Sequence, residues 1–296
     1  MYEQIAANKR KSAVLVFFFI LVVASLGLAF DYLTGWGVPG IVAAVAFALI
    51  SALGSYYASD KITLAISKAR PATKEEFPYL ANVVEGLAIA AGVPAPRCYV
   101  IDDTAPNAFA TGRDPKSSII CVTTGLLQKM DRAELEGVVA HEMSHIRNYD
   151  IRLMTLVVVM VGIIALLSDW ILRSFLWGGR GRRVSKDKSG GGAALIVVGL
   201  LLALLAPIAA SLIRMAISRK REFLADASSA ELTRYPAGLA SALRKIAADK
   251  EPLEAANKAT AHLYIANPLL DHKGKLNKLF STHPPIEERI AALEKM

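Results

Sequence analysis

Two histidines four residues apart, His141 and His145, flank Glu142 in the stretch AHEMSHIRNYD, residues 140–150. On a helix, positions i and i+4 share a face one turn apart, so both imidazoles can point at one metal ion. A carboxylate directly after the first ligand reaches a water on that ion without binding the metal itself. Metal-assisted peptide hydrolysis uses this arrangement. Two surface histidines on an ordinary amphipathic helix would look the same in isolation, so the reading depends on finding the rest of a site.

A catalytic zinc takes three protein ligands and keeps one position open. His262, His272 and His283 could each be the third ligand. The stretch REFLAD offers a better choice, because Glu222 and Asp226 are again four apart on one helical face. His-His-Glu is an established set for catalytic zinc. Asp226 would then accept a hydrogen bond from the far nitrogen of a ligand histidine and fix its tautomer. An E-x-x-x-D pair alone is common on solvated helices; coupled to H-E-x-x-H it becomes a candidate.

These residues need elements to hold them. Asp131, with Glu134 three residues on, is a capping-box start for the helix that carries His141. Upstream, Leu80, Val83, Val84, Leu87 and Ala91 recur at helical spacing, and Gly92 is a natural stop. Residues 97–102 and 117–122 are rich in β-branched and aromatic types and read as short strands. Between them, Asn107 to Thr111 is an extended core within a turn-rich segment. A sheet edge above a metal helix suits backbone pairing with a substrate, which makes Asn107, Ala108 and Phe109 candidate contacts. In STHPPIEER, the prolines suit the first turn of a helix. His283 and Arg289 are candidates to approach the metal or steady an oxyanion.

The 296-residue chain is 54% hydrophobic, and the excess is blocked rather than spread. Residues 12–30, 38–58, 153–177 and 193–213 form four apolar stretches, and about twenty apolar residues cross a bilayer core as a helix. The first lacks a small-x-small cleavage site before Asp31 and is followed at once by a second, so it reads as an uncleaved anchor. The formal charge of +8 comes with Lys9, Arg10 and Lys11 before the first block and Lys61, Lys68 and Arg70 after the second. Basic residues beside apolar blocks mark the cytoplasmic side and touch anionic lipid, which accounts for the charge without nucleic acid. His145 and Glu222 must meet at one ion, so the segment between them crosses the bilayer an even number of times or not at all. Asp169 and Arg173 interrupt the third block, and the loop 178–192 is basic, so the third block is expected to span poorly or to tilt strongly. Cys98 and Cys121 are too few for a zinc ribbon and read as buried free thiols.

Together, two N-terminal apolar blocks, PNAFATG, HEMSHIRNYD, a hydrophobic hairpin, REFLADASSA and FSTHPPIEERI, in that order, cover nearly the whole chain. It resembles the HtpX family of membrane zinc endopeptidases, related to the CAAX prenyl proteases. The resemblance implies one zinc ion per chain held by His141, His145 and Glu222, with Glu142 catalytic. It also implies an α+β membrane protein with a zincin-like (gluzincin) catalytic domain, containing a small β-sheet and the HExxH helix, plus about four hydrophobic helices. The expected organisation is a transmembrane hairpin at 1–58, catalytic parts at 59–150 and 214–296, and a hydrophobic hairpin at 151–213 between them. The implied setting is a multi-pass protein of the cell (inner) membrane whose active site faces the cytoplasm. Its expected partners are membrane-protein substrates, unfolded polypeptides, the lipid bilayer and other membrane quality-control proteins. A stress role in clearing damaged membrane proteins follows.

Three other readings are weaker. An intramembrane protease would bury the motif in lipid, yet Arg132, Glu134, Glu136, Arg147, Asn148, Asp150 and Arg152 surround it. A CAAX-type protease would be expected to have more than two spans before the motif. An inactive membrane adaptor would have no need of a complete ligand and base set.

Overall fold

The structure is a computed structural model that describes residues 2–34, 38–178, 218–256, 260–268 and 284–296. Two long helices lead, α1 (Tyr2–Thr34) and α2 (Val38–Ile66). There follow β1 (Arg70–Pro71), α3 (Pro78–Ala91), β2 (Arg97–Ile101), β3 (Ala108–Thr111) and β4 (Ile119–Thr123). After these come α4 (Thr124–Lys129), α5 (Arg132–Arg147) and α6 (Asp150–Gly178). Beyond residue 217 lie α7 (Arg219–Thr233), α8 (Pro236–Ala248) and α9 (Ile286–Leu293).

The four strands form one sheet in the order β1-β2-β4-β3. β2 and β4 are parallel, and β3 runs antiparallel to β4 on the sheet's edge. The last strand begins later than its composition suggests, at Ile119 rather than at Ser117. Asp114 explains the shift: its carboxylate accepts from the Ser117 amide and hydroxyl, which draws residues 115–117 into a 3₁₀ turn. Tyr99 pairs with Cys121 in the parallel register, which puts Cys98 and Cys121 on opposite faces of the sheet. Both thiols are free; Cys121 is buried as expected, whereas Cys98 is only half-buried, and burial pushes Cys121 well up and Cys98 to about 11.

α5 is the centre of the domain. Its start is the capping box expected from the sequence: Asp131 accepts from the Glu134 amide, and Glu134 accepts in return from the Asp131 amide. Leu135, Val138, Val139 and Met143 are buried against α3, the sheet and α8. Each such side chain contributes about 1.5–3 kcal/mol relative to exposure. Two glycines let helices touch backbone to backbone. A Cβ on Gly137 would sit 2.6 Å from the Leu239 amide nitrogen of α8, and one on Gly238 would sit 2.5 Å from the Ala133 carbonyl oxygen. The Gly137 carbonyl, freed from steric cover, also accepts from Ser229 Oγ of α7 at 2.8 Å.

The first two apolar blocks lie on α1 and α2, and the third, 153–177, lies on α6. Leu15 and Phe19 of α1 pack against Leu153, Leu156, Val157 and Met160 of α6. Among the described residues, no helix is long and apolar enough to cross a membrane. The fourth block and the basic linker from residue 179 onward lie outside the described residues.

Candidate metal centre

α5 and α7 bring His141, His145 and Glu222 together in a buried cluster. His141 Nε2 lies 3.2 Å from His145 Nε2. Glu222 Oε2 is 3.7 Å from His141 Nε2, and Oε1 is 3.7 Å from His145 Nε2. Tetrahedral zinc with bonds of about 2.0–2.1 Å holds its ligand atoms roughly 3.3 Å apart, so these three spacings fit one ion. The two rings stand nearly perpendicular, at 87°, so each presents one nitrogen to the shared point.

The far nitrogens show why these atoms face a cation. His141 Nδ1 donates to Asp226 Oδ1 at 2.9 Å, and His145 Nδ1 donates to Asp150 Oδ2 at 3.0 Å. With a proton held on each Nδ1, both Nε2 atoms turn lone pairs towards each other, which is repulsive unless something positive lies between. In the protein alone a proton has this place. Burial works against the charged form of His141, but the Asp226 and Glu222 contacts outweigh it and lift His141 to about 9. The donor set of two imidazoles and a carboxylate suits a borderline divalent ion such as zinc.

Asp226 is in turn gripped by Arg289, whose Nε reaches Oδ2 at 2.9 Å and Nη2 reaches Oδ1 at 2.7 Å. Burial would raise the Asp226 carboxyl, but the Arg289 charge and the hydrogen bonds from His141 and Arg289 hold it down to about 2. Arg289 was a candidate for steadying an oxyanion. It is fully buried behind His141; its Nη1 donates to the Ile265 carbonyl at 2.8 Å and stands 4.0 Å from Glu222 Oε2. His283 lies outside the described residues.

Glu142 occupies the same turn of α5, 1% exposed, and neither carboxylate oxygen has a hydrogen-bond partner among the described residues. Burial pushes its carboxyl above the usual range, against the pull of His141 and His145. The backbone donor that acts on it is Ala110 of β3, though no hydrogen bond closes. Strand alternation sorts the residues of that edge. Asn107 accepts from the Thr123 amide on β4, so Ala108 and Ala110 direct their backbone groups away from the sheet. The Ile265 amide takes the Ala108 carbonyl. The Asn107 side chain is spent on the Ala266 carbonyl and the Ala108 amide. The Phe109 side chain points into the opposite face, 5.0 Å from the Tyr264 ring and fully buried. Of this stretch, the backbone of Ala110 is what borders Glu142.

In the sequence Asp150 stands out only as one of the charges around the motif. Its position five residues after His145, just past the end of α5, was the available signal.

Two packed helices carrying two histidines and a glutamate, with a second buried glutamate beside an edge strand, make a metalloprotease. The chain belongs to Peptidase family M48, which matches residues 74–296. It is 51% identical over 295 residues to the Protease HtpX homolog of Dictyoglomus thermophilum, covering 100% of this chain and 94% of that protein. The Protease HtpX homolog of Caldanaerobacter subterraneus is 49% identical over 296 residues, with 100% of this chain and 98% of that protein covered. Among solved structures, the crystal structure of S. mikatae Ste24p superposes with a TM-score of 0.51 at 21% identity. That match covers 99% of this chain and 67% of the other, and shows a shared fold.

Proposed function

We propose that this metalloprotease is a zinc-dependent membrane endopeptidase that cuts misfolded or damaged membrane proteins at the cytoplasmic face of the cell (inner) membrane. The observation that carries this reading is continuity of chain. α5, which bears both histidines, passes through Asn148 and Tyr149 directly into α6, whose first residue orients His145 and whose body is the third apolar block. Chemistry and apolar helix are one stretch of polypeptide. The basic residues Lys9 to Lys11 before the first block, with Lys61, Lys68 and Arg70 after the second, favour a cytoplasmic catalytic domain.

His141, His145 and Glu222 would hold the zinc and leave one position open. A zinc ion there would supply Lewis acidity to a water and to the scissile carbonyl. Glu142 takes the proton as the water attacks and returns it to the leaving nitrogen. Its burial suits this task, because removal from water raises the carboxyl above the usual carboxylate range and favours taking up the proton. Asp226 and Asp150 keep the imidazoles aimed while charge moves. The outward-facing amide and carbonyl of Ala110 offer a short edge to an extended substrate. Main-chain pairing reads little sequence, so selection comes from access: a folded domain offers no free strand, whereas a misassembled membrane protein offers loops and frayed helix ends.

The test compares one membrane protein before and after destabilisation, in liposomes with the zinc-loaded enzyme. Cutting of the destabilised form at several cytoplasmic sites, with the folded form spared, is expected. Equal cutting of both at one defined bond would indicate a dedicated processing enzyme.

A further inference from the structure

Asn8 lies in the first third of α1, 3% exposed and well outside the matched family segment 74–296. Its side-chain nitrogen makes two hydrogen bonds, to the Asn148 carbonyl at 2.9 Å and to Asp150 Oδ1 at 2.7 Å. Both partners are acceptors, so the amide nitrogen and not its oxygen must face them. The two contacts straddle the turn between α5 and α6. In that turn Tyr149 adopts φ 60, a left-handed conformation that a non-glycine residue holds only when its surroundings impose it. Lys9, next to Asn8, places Nζ 4.5 Å from the Tyr149 ring centroid, and Arg152 covers the same ring at 5.2 Å. α1 thus grips the turn from outside at two adjacent residues.

The turn matters because of what it presents. Asp150 accepts from His145 Nδ1 on Oδ2, and from Asn8 and Arg221 Nη1 (3.3 Å) on Oδ1. Arg221 precedes Glu222, the third side chain of the cluster. One carboxylate therefore joins α1, α5 and α7 at the back of the metal centre. Asn8 supplies the shorter of the two bonds to Oδ1, and it also fixes the backbone two residues before that carboxylate.

We infer that Asn8 is a positioning residue for the metal centre. By clamping the Asn148–Asp150 turn, it holds the Asp150 carboxylate against His145 and so sets the aim of a metal-binding nitrogen. The inference rests on the zinc reading above. It makes the N-terminal helix a working part of the site as well as a support for it.

The test measures zinc affinity of the purified full chain in detergent, by competition with a chromogenic chelator. The absorption spectrum of the Co(II)-substituted protein is recorded on the same samples. Asn8→Ala removes both hydrogen bonds. Asn8→Asp keeps the shape but sets an acceptor against two acceptors. Ser12→Ala is the control: Ser12 lies one turn along the same face of α1, buried, and its hydroxyl has no partner among the described residues. Ser12→Ala should bind zinc as the wild type does. Asn8→Ala and Asn8→Asp should each weaken zinc binding by roughly tenfold or more and shift the Co(II) bands. In an Asp150→Ala background, Asn8→Ala should cost nothing further. Wild-type zinc affinity in Asn8→Asp would overturn this inference alone, as would an equal loss from Asn8→Ala with and without Asp150. A wild-type chain that binds no zinc would overturn the metal reading and this inference with it.

Discussion

His145 Nδ1 stands 3.0 Å from Asp150 Oδ2, and this pair mirrors His141 Nδ1 at 2.9 Å from Asp226 Oδ1. Each imidazole of the metal centre is thus backed by its own carboxylate, one contributed by the helix after α5 and one by α7. Partners of this kind typically account for roughly 10–100-fold in metal affinity or activity. Asp150→Ala and Asp226→Ala should each lower zinc affinity by that order while leaving His141, His145 and Glu222 in place. Asp226→Ala should be the more damaging to the fold, because it strands the fully buried Arg289 guanidinium without its carboxylate. Chelator competition gives the affinities, and thermal melts of the metal-free chains give the difference in stability.

The raised His141 pKa makes zinc binding depend on pH in a defined direction. Its value of about 9 in the protein alone lies above its ordinary 6.5. The sign follows: protonated His141 stabilises the metal-free fold fully below pH 6.5, and this stabilisation is lost as pH rises through about 9. Zinc requires the neutral imidazole, so affinity should climb with pH over the same window. Near neutral pH, zinc binding should expel the His141 proton. Asp226→Asn removes the charge that holds this proton and should release fewer, by up to about one per chain. Calorimetry in two buffers of different ionisation enthalpy counts them; equal counts would show that Asp226 does not set the protonation of His141.

Close backbone packing beside the site gives a prediction about stability. A Cβ at position 137 would fall 2.6 Å from the Leu239 nitrogen and 2.8 Å from its Cα, atoms of α8 that have no rotamer to swing aside. Gly137→Ala should therefore cost about 1–3 kcal/mol or more, although alanine is the better helix former. Gly86, on the helix α3, meets nothing within 4 Å of a built Cβ. Gly86→Ala should be neutral or slightly stabilising, and denaturant melts of the two variants separate packing from propensity.

The sequence discloses the metal centre because its spacing is local. His141, His145, Glu222 and Asp226 are set by helical periodicity, and the capping box at Asp131 announces the helix that carries two of them. What it conceals depends on long-range docking. Asn8 meets Asp150 across 142 positions of chain, through a turn whose left-handed Tyr149 no propensity forecasts. Arg289 likewise attains its place behind His141 only because α9 packs against α7 and α8, so its motif suggested a side chain facing the site but not the clamp on Asp226. Phe109 is a different case. Strand alternation alone separates it from Ala108 and Ala110, and its side chain belongs to the opposite face of the sheet.

Glu142 handles the proton while His141, His145 and Glu222 hold the ion. Zinc content and cleavage of an unfolded polypeptide such as casein, measured on the same purified Glu142→Gln sample, test it most directly. Glutamine keeps the size of the side chain and gives up only the acid–base function, at a position whose carboxylate has no hydrogen-bond partner to lose among the described residues. The predicted result is about one zinc per chain, as in the wild type, with cleavage abolished. Retained cleavage at the wild-type rate, or loss of the zinc along with the activity, would contradict it.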